Sequence, residues 1–331
     1  MARLVLAIGT SHSPALNTSA AEYAEHEARD RERWKALDKE GRPCTYDDLM
    51  SMAEPRIREE IRPEVIARRV DGCNKGMAKL AETLQSTPLD ALIIVGDDQR
   101  EQYHDDNMPA VLVYWGDTIR NNVLPLPPTA PAYWRRARQQ FHEIDAPRDY
   151  PVASELGLHI IETLMDSDFD VSHSRELAKD HGEGHAFGFV HRRMMDGMAN
   201  PIPIVPVVLN TYFPPNQPRP RRCYALGRAI AKAVESWDGG TRVGIVASGG
   251  LSHFTVDEEL DHAVLDACRL KDAAALMAIP VNKLNSGNSE IRNWIAVAGA
   301  AEGLETRWQD YQPCYRSLAG TGCGMAFAIW S

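Results

Sequence analysis

The 331-residue sequence has no run of 18 consecutive apolar residues, and its apolar stretch near the N-terminus, residues 4–8, is short. A bilayer-spanning helix needs about 20 apolar residues, and the apolar core of a signal peptide needs about 7–15. We therefore expect neither a membrane segment nor an export signal. The six cysteines form no CxxC pair and no zinc-ribbon spacing. Reduced thiols and a cytoplasmic location are the resulting expectation.

Positive charge is scarce relative to negative charge. The chain has 36 Lys and Arg against 46 Asp and Glu, which gives a formal net charge of -10. Surfaces that bind nucleic acid are basic, so we expect no nucleic-acid partner and favour a small molecule instead. Internal repeats and low-complexity tracts are also absent. The length exceeds that of a usual single domain without requiring two cores, and we predict one domain over residues 1–331.

Short apolar runs typical of buried strands recur along the chain. They lie at residues 4–8, 91–95, 110–115, 202–209, 243–247 and 325–330. Helical patterns lie between most of them, the clearest at residues 66–84 and 223–237. This alternation predicts an α/β fold, with a central mixed or mostly parallel sheet flanked by helices. The charged and aromatic residues 20–62 are interpreted as a partly helical N-terminal insertion over one end of the sheet.

Polar groups follow several of these predicted strands. The first strand runs directly into GTSHSP at residues 9–14, so His12 lies just beyond its carboxyl end. Further polar segments follow at residues 96–99, 210–212 and 248–253. The carboxyl edge of an open α/β sheet is where ligands bind, so parallel strands would bring these groups together. His12 is then a metal ligand or a proton carrier; the alternative is a turn in which it only packs.

Two other segments carry titratable groups. Residues 179–185 read KDHGEGH, and residues 257–262 read DEELDH. From the residues alone, the second segment is better explained as the start of a helix, because carboxylates are stabilised in the first turn by the helix dipole.

Six short motifs occur in the order found in class III extradiol ring-cleavage dioxygenases, the family of the protocatechuate-cleaving and gallate-cleaving catalytic subunits. They are GTSHSP at 9–14, DHG at 180–182, NTYFPP at 210–215, CYALG at 223–227, GGLSH at 249–253 and ELD at 259–261. The sequence therefore resembles that family over nearly its whole length. The resemblance implies a non-haem Fe(II) held by two histidines and one glutamate, a donor set that suits ferrous iron and leaves positions open for substrate and dioxygen.

By resemblance, His12 is the first metal ligand and Glu259 is the carboxylate. The second histidine of the family falls at Gln99 in this chain, within Asp97-Asp98-Gln99. A glutamine binds metal only through its neutral amide oxygen, a weaker donor to iron than imidazole, so another divalent metal is the alternative to Fe(II). Three interpretations remain: Gln99 is itself a ligand, which we favour; Asp98 or His104 substitutes for it; or the metal site is degenerate.

The same resemblance assigns His181 as the catalytic acid and base, a role suited to a side chain that exchanges protons near neutral pH. The alternative for His181 is a loop histidine bonded to Asp180. His253 is expected to contact substrate or to orient a ligand, and Tyr150 falls near a position that faces substrate in relatives.

The expected reaction is extradiol cleavage of a catecholic aromatic acid by dioxygen, in the degradation of aromatic or lignin-derived compounds. A catalytically silent partner subunit, a metal-dependent hydrolase and an altered oxidation are the alternatives, because of Gln99. A homo-oligomer such as a dimer is expected. Residues 20–62 are interpreted as a lid, with Trp34 and Tyr46 available to meet an aromatic ring, or equally as a subunit contact.

Overall fold

The computed structural model describes residues 1–32, 36–238 and 240–331, without the side chain at position 24. The strands are β1 (Arg3–Thr10), β2 (Ala36–Leu37), β3 (Pro43–Cys44), β4 (Ala91–Asp97), β5 (Val111–Tyr114), β6 (Thr118–Asn121), β7 (Arg148–Pro151), β8 (Ser172–Ser174), β9 (Ile204–Leu209), β10 (Arg242–Ser248), β11 (His253–Thr255), β12 (Thr306–Tyr315) and β13 (Thr321–Trp330). The α-helices are α1 (Tyr23–Glu32), α2 (Tyr46–Met52), α3 (Ile57–Glu60), α4 (Pro63–Ser86), α5 (Ala132–Gln139), α6 (Ser154–Asp166), α7 (His185–Met194), α8 (Pro220–Ser236), α9 (Glu258–Leu270), α10 (Ala273–Ala278) and α11 (Ile291–Ala300). Within the described ranges, none of the helices combines the length and the apolar character needed to cross a bilayer.

The central sheet is mixed, with a parallel centre. Its strand order is β11-β13-β1-β10-β4-β9-β5-β8, and β12 pairs with β13. Neighbouring strands from β1 through β10 and β4 to β9 are parallel, whereas β13 is antiparallel to β1 and β5 is antiparallel to β9. The predicted α/β fold, with a mixed sheet flanked by helices, is confirmed.

The apolar runs form central strands because helices cover both faces of the sheet. In β4, Ile93 and Val95 pack into one core, while Leu92 and Ile94 pack into the other. Successive side chains of a strand point to opposite faces, so a strand covered on both sides must be apolar throughout. Helices α6, α8 and α11 cover the first face, and α4 and α7 cover the second.

Gly96, near the end of β4, allows α7 to approach the sheet closely. A Cβ atom at this position would lie 2.6 Å from the Cβ of Ala186, in the first turn of α7. A larger residue would therefore push the helix away from the strand. The close approach brings His185, the first residue of α7, to the carboxyl end of β4.

Residues 20–62 contain α1, α2, α3 and the β2-β3 hairpin within their described part. Asp30 of α1 accepts two hydrogen bonds from the buried guanidinium of Arg316, with donor–acceptor distances of 2.6 and 2.8 Å. A bidentate pair of this kind fixes the relative orientation of its partners. It holds α1 against the connection between β12 and β13.

Candidate metal and substrate site

The carboxyl ends of β1, β4 and β10 meet at one edge of the parallel part of the sheet. His12 lies two residues beyond β1, Asp97 ends β4, and Ser248 ends β10. These side chains are buried and adjacent, as the expectation for parallel strands required. The structure therefore brings the polar groups that follow these three strands together at one place.

Four buried side chains converge here in an arrangement suited to a metal ion. His12, Asp97, His185 and Glu290 each offer one ligand atom, and these atoms all lie within 4.8 Å of one another. Nε2 of His12 is 3.1 Å from Oε2 of Glu290, and Nε2 of His185 is 4.0 Å from Oδ2 of Asp97. We refer to these four residues as the metal-type cluster.

The tautomer of His12 follows from its neighbours. Ser248 Oγ donates its hydrogen to the backbone carbonyl of Ala186 at 2.7 Å, so it accepts the bond that it shares with His12 Nδ1 at 3.1 Å. Nδ1 therefore carries a hydrogen, and in the neutral ring Nε2 keeps its lone pair directed into the cluster. A metal-binding imidazole is commonly oriented in this way by a partner on its other nitrogen.

His185 is anchored from outside the cluster by Glu101. Its Nδ1 lies 2.6 Å from Oε2 of Glu101, and the same carboxylate accepts the backbone N–H of His185. Burial lowers the pKa of His185, but the charge and hydrogen bond of Glu101 outweigh this and raise the pKa to about 9. Nε2 of His185 is buried and has no hydrogen-bond partner among the described residues. A buried nitrogen without a partner is costly, and a metal ion would satisfy it.

The two carboxylates of the cluster have opposite electrostatic environments. Burial, followed by the charge of Glu290, raises the pKa of Asp97 to about 6. Burial also acts to raise the pKa of Glu290, but His253 and His12 hold it well below its usual range. Two buried carboxylates this close repel each other unless a cation or a proton is present. The donor set and its charge therefore fit a divalent metal ion.

Gln99 and His253 adjoin the cluster without being part of it. The amide nitrogen of Gln99 donates to Oε1 of Glu290 at 3.2 Å and to Oδ2 of Asp97 at 3.4 Å, and its side chain is exposed. Nδ1 of His253 donates to the carbonyl of Leu251 at 3.0 Å, which leaves Nε2 to face Oε1 of Glu290 at 3.4 Å. His253 is thus positioned to exchange a proton at Nε2.

Other residues predicted from the sequence lie outside the cluster. Glu259 is exposed in the first turn of α9, and the buried carboxylate beside His12 belongs to Glu290. Asp98 accepts hydrogen bonds from the backbone of residues 101–103, and His104 is exposed.

His181, the predicted catalytic histidine, and Tyr150, the predicted substrate-facing tyrosine, also lie outside the cluster. His181 is exposed, and its Nδ1 is 2.7 Å from the backbone carbonyl oxygen of Glu101. Tyr150 is buried in β7, where its hydroxyl donates to Glu143 at 2.6 Å and its ring stacks on His191. Neither residue lines the cavity that contains the cluster.

His185 and Glu290 were not predicted from the sequence. His185 had a weak signal, since it ends the segment 179–185 with its several titratable groups. Glu290 had no local signal. It ends a 3₁₀ turn, Ser286–Glu290, immediately before α11, and its oxygen is held by the backbone N–H of Gly250 at 2.6 Å.

The cluster opens into a cavity of about 280 Å³. Besides His12, His185 and Glu290 of the cluster, its walls contain aromatic rings and cationic side chains, and three of the lining residues come from residues 20–62. The lining residues are His12, Ser13, Pro14, Ala15, His26, Arg29, Asp30, Gln99, Trp134, Arg138, Phe141, His185, Tyr212, His253, Phe254, Glu290, Arg316 and Cys323. Tyr46 lines a neighbouring cavity, and Trp34 lies outside the described residues.

The fold is that of an α/β protein, and buried imidazoles and carboxylates that could hold a metal ion lie at the carboxyl edge of its mixed sheet. Residues 70–323 match the family model of the catalytic LigB subunit of aromatic ring-opening dioxygenase. The chain belongs to this family, and its resemblance to the class III extradiol dioxygenases is confirmed.

Curated relatives support the same assignment. The chain is 30% identical to the gallate dioxygenase of Pseudomonas putida over 181 residues, which cover 50% of this chain and 52% of the relative. It is 35% identical to the 2,3-dihydroxyphenylpropionate/2,3-dihydroxicinnamic acid 1,2-dioxygenase of Comamonas testosteroni over 102 residues, or 31% of this chain and 30% of the relative. The chain thus spans about half, or less, of the length of these two relatives.

Proposed function

We propose that this protein opens the ring of a catecholic aromatic acid beside its two hydroxyls, using dioxygen and a non-haem Fe(II), in the degradation of aromatic compounds. The observation that carries the proposal is the buried metal-type cluster, three members of which line a partly aromatic cavity, in a chain of the aromatic ring-opening dioxygenase family. The names of two relatives, which specify gallate and 2,3-dihydroxyphenylpropionate, support it.

His12, His185 and Glu290 are the proposed metal ligands. Together they supply two imidazoles and one carboxylate, the donor set typical of non-haem Fe(II) oxygenases. In this assignment Glu290 takes the role that sequence reasoning gave to Glu259, and His185 takes the role given to Gln99. Asp97 lies within reach as a further oxygen donor, and Glu101 orients His185 as a hydrogen-bonded carboxylate behind it.

When bound, Fe(II) would take up the catechol hydroxyls and dioxygen and pass electron density between them. The protein's own part is to position the ring and to move protons. His253 lines the cavity, is fixed through Nδ1 and presents Nε2 beside Glu290, so we assign it the acceptance of a substrate hydroxyl proton. The exposed His181 does not reach the cavity walls and is not given this role.

Oxygen uptake by protein that is purified and loaded with Fe(II) without air tests the proposal. A panel of catecholic acids would be supplied together with ¹⁸O₂, and the product followed by mass spectrometry. A ring-opened product that contains both labelled oxygen atoms is the expected result. Bound metal without oxygen uptake would contradict ring cleavage, and turnover without dioxygen would identify a hydrolase. Failure to bind stoichiometric metal would identify a silent subunit.

A cytoplasmic location and a homo-oligomeric state remain part of this proposal. The six cysteines are free, which agrees with a reducing compartment. Light scattering during size-exclusion chromatography would test the oligomeric state, and a monomer would contradict it.

A further inference from the structure

We propose that Arg138 and Arg29 form an anion-binding subsite in the cavity, which binds the carboxylate of the aromatic substrate and selects acids over neutral catechols. This inference rests on the proposed function, because it assumes that the ring of the ligand occupies the cavity above the metal-type cluster.

The first observation is that these two cations lack an acidic partner. Both line the cavity, and neither has a carboxylate oxygen within 4.0 Å among the described residues, which is the distance that defines an ion pair. The third arginine of the cavity, Arg316, differs because Asp30 neutralises it through two short hydrogen bonds. The acid whose charge acts on Arg138 is Glu101, which is already bonded to His185.

The second observation is that both guanidinium groups lie near the ring of Trp134, which also lines the cavity. The guanidinium carbon of Arg29 is 3.7 Å from the ring centroid of Trp134, and that of Arg138 is 6.0 Å from the same centroid. Burial lowers the pKa of Arg138, and the charge of Arg29 lowers it further. Arg29 is exposed and Arg138 is half-buried, and a bound anion would offset the repulsion between their like charges.

The third observation is the position of this pair relative to the cluster. The guanidinium carbon of Arg138 lies 5.2 Å from the ring centroid of Phe141, and the Phe141 ring lies 5.8 Å from the His185 ring. Arg138 and His185 therefore lie beside the same aromatic ring, and both line the cavity. A catechol held by the cluster within this cavity has a carboxylate, on the opposite ring carbon or on a short chain, available to bind Arg138.

The chemistry of the pair fits this ligand. A guanidinium presents its N–H groups in a planar fork that matches the two oxygens of a carboxylate, and charged hydrogen bonds of this kind are strong. Stacking on Trp134 occupies the face of the Arg29 guanidinium and leaves its N–H edge free to bind an anion. An amide or ester in the place of the carboxylate carries no charge and would gain little from the pair.

Anaerobic binding measurements test the subsite separately from ring cleavage. Fe(II)-loaded protein would be titrated without oxygen with 3,4-dihydroxybenzoate and with its methyl ester, which differ only at the carboxylate. The wild type is expected to bind the acid at least about 10-fold more tightly. Arg138→Gln is expected to weaken binding of the acid by roughly 10- to 100-fold, and to leave binding of the ester unchanged. Arg138→Lys should restore part of the loss.

The matched control is Arg135→Gln, on the same helix but outside the cavity lining. It should leave both affinities unchanged. Equal binding of acid and ester by the wild type, no binding of either, or an equal loss of both in Arg138→Gln overturns the subsite. Acid-selective binding without oxygen uptake would uphold the subsite and contradict ring cleavage. Equal cleavage of the acid and the ester would support ring cleavage and contradict the subsite.

Discussion

The carboxylate of Glu101 binds both the ring and the backbone of His185, with Oε2 2.6 Å from Nδ1 and 3.0 Å from the backbone nitrogen. It thereby fixes the residue that supplies a second imidazole to the metal-type cluster. Carboxylates that orient a metal-binding histidine typically contribute 10- to 100-fold to metal affinity.

Replacing Glu101 with Gln should therefore weaken Fe(II) binding by roughly 10- to 100-fold, because an amide orients the ring without adding negative charge. Anaerobic titration with a competing chelator would measure the dissociation constant. The exposed Glu82→Gln on α4 is a matched control and should bind metal as the wild type does. Unchanged affinity in Glu101→Gln would remove His185 from the ligand set.

A second test separates His185 from Gln99. His185→Gln should lower the Fe(II) affinity by about 100-fold or more, because a strong donor is lost from the cluster. Gln99→Ala should lower it by less than about 10-fold, since the Gln99 amide nitrogen faces the carboxylates as a hydrogen-bond donor.

The double variant Gln99→His with His185→Gln provides the complementary measurement. It returns an imidazole to the position implied by the family resemblance and should recover part of the lost affinity. If Gln99→Ala instead lost metal while His185→Gln kept it, Gln99 would be the ligand that sequence reasoning favoured.

The two histidines considered for proton transfer can be compared directly. His253→Gln should lower kcat by roughly 10²- to 10⁴-fold, the usual contribution of a positioned acid or base, while metal binding is retained. His181→Ala serves as the comparison and should keep near-normal turnover, because that side chain is exposed and absent from the cavity walls. Steady-state oxygen consumption and metal content would both be measured. The opposite ranking would return the catalytic role to His181.

The strands that could be predicted from the sequence are those whose apolar residues are set by burial alone. The runs that became β4 and β10 are apolar throughout because helices cover both faces of the sheet. Strand β12 was not predicted, since it is only partly buried along most of its length and includes Gln309, Asp310 and Gln312. Its strand structure depends on pairing with β13, which no short window of sequence reveals.

The site could be predicted only in part, because some of its residues are brought together by contacts between distant parts of the chain. His12 was a candidate because it directly follows a predicted strand, and residues at the carboxyl ends of parallel strands lie at the edge of the sheet where ligands bind. His185 and Glu290 lie at or next to the first residue of a helix, and tertiary packing determines where each helix begins. For His185, that packing includes the close contact between Gly96 and Ala186. Glu259 has the local pattern of an acidic first turn, and the structure places it there, exposed to solvent.

The lowered pKa of His26, in α1, predicts how the free energy of unfolding depends on pH. Its Nε2 lies 3.0 Å from Thr18 Oγ1, and burial, followed by the charges of Arg316 and Arg29, lowers its pKa to about 4, while Asp30 acts in the opposite direction. The unfolded chain has a histidine pKa of about 6.5. Between pH 6.5 and 4 the unfolded state therefore binds the extra proton, and the folded state loses stability as the pH falls.

His26→Gln keeps a group that can bond Thr18 but cannot titrate. It should reduce the pH dependence of the unfolding free energy in that window by about 1.4 kcal/mol per pH unit, the value for one proton. Urea unfolding at several pH values between 4 and 7 would measure the slope. Partial burial, followed by the charge of Arg138, also lowers the pKa of His142 to about 4, so His142→Gln should reduce the slope by a similar amount. Because the two histidines share no hydrogen-bond, ring or charged partner among the described residues, the two reductions should add in the double variant. A slope in His26→Gln identical to that of the wild type would show that His26 is as free to take up a proton in the folded protein as in the unfolded chain.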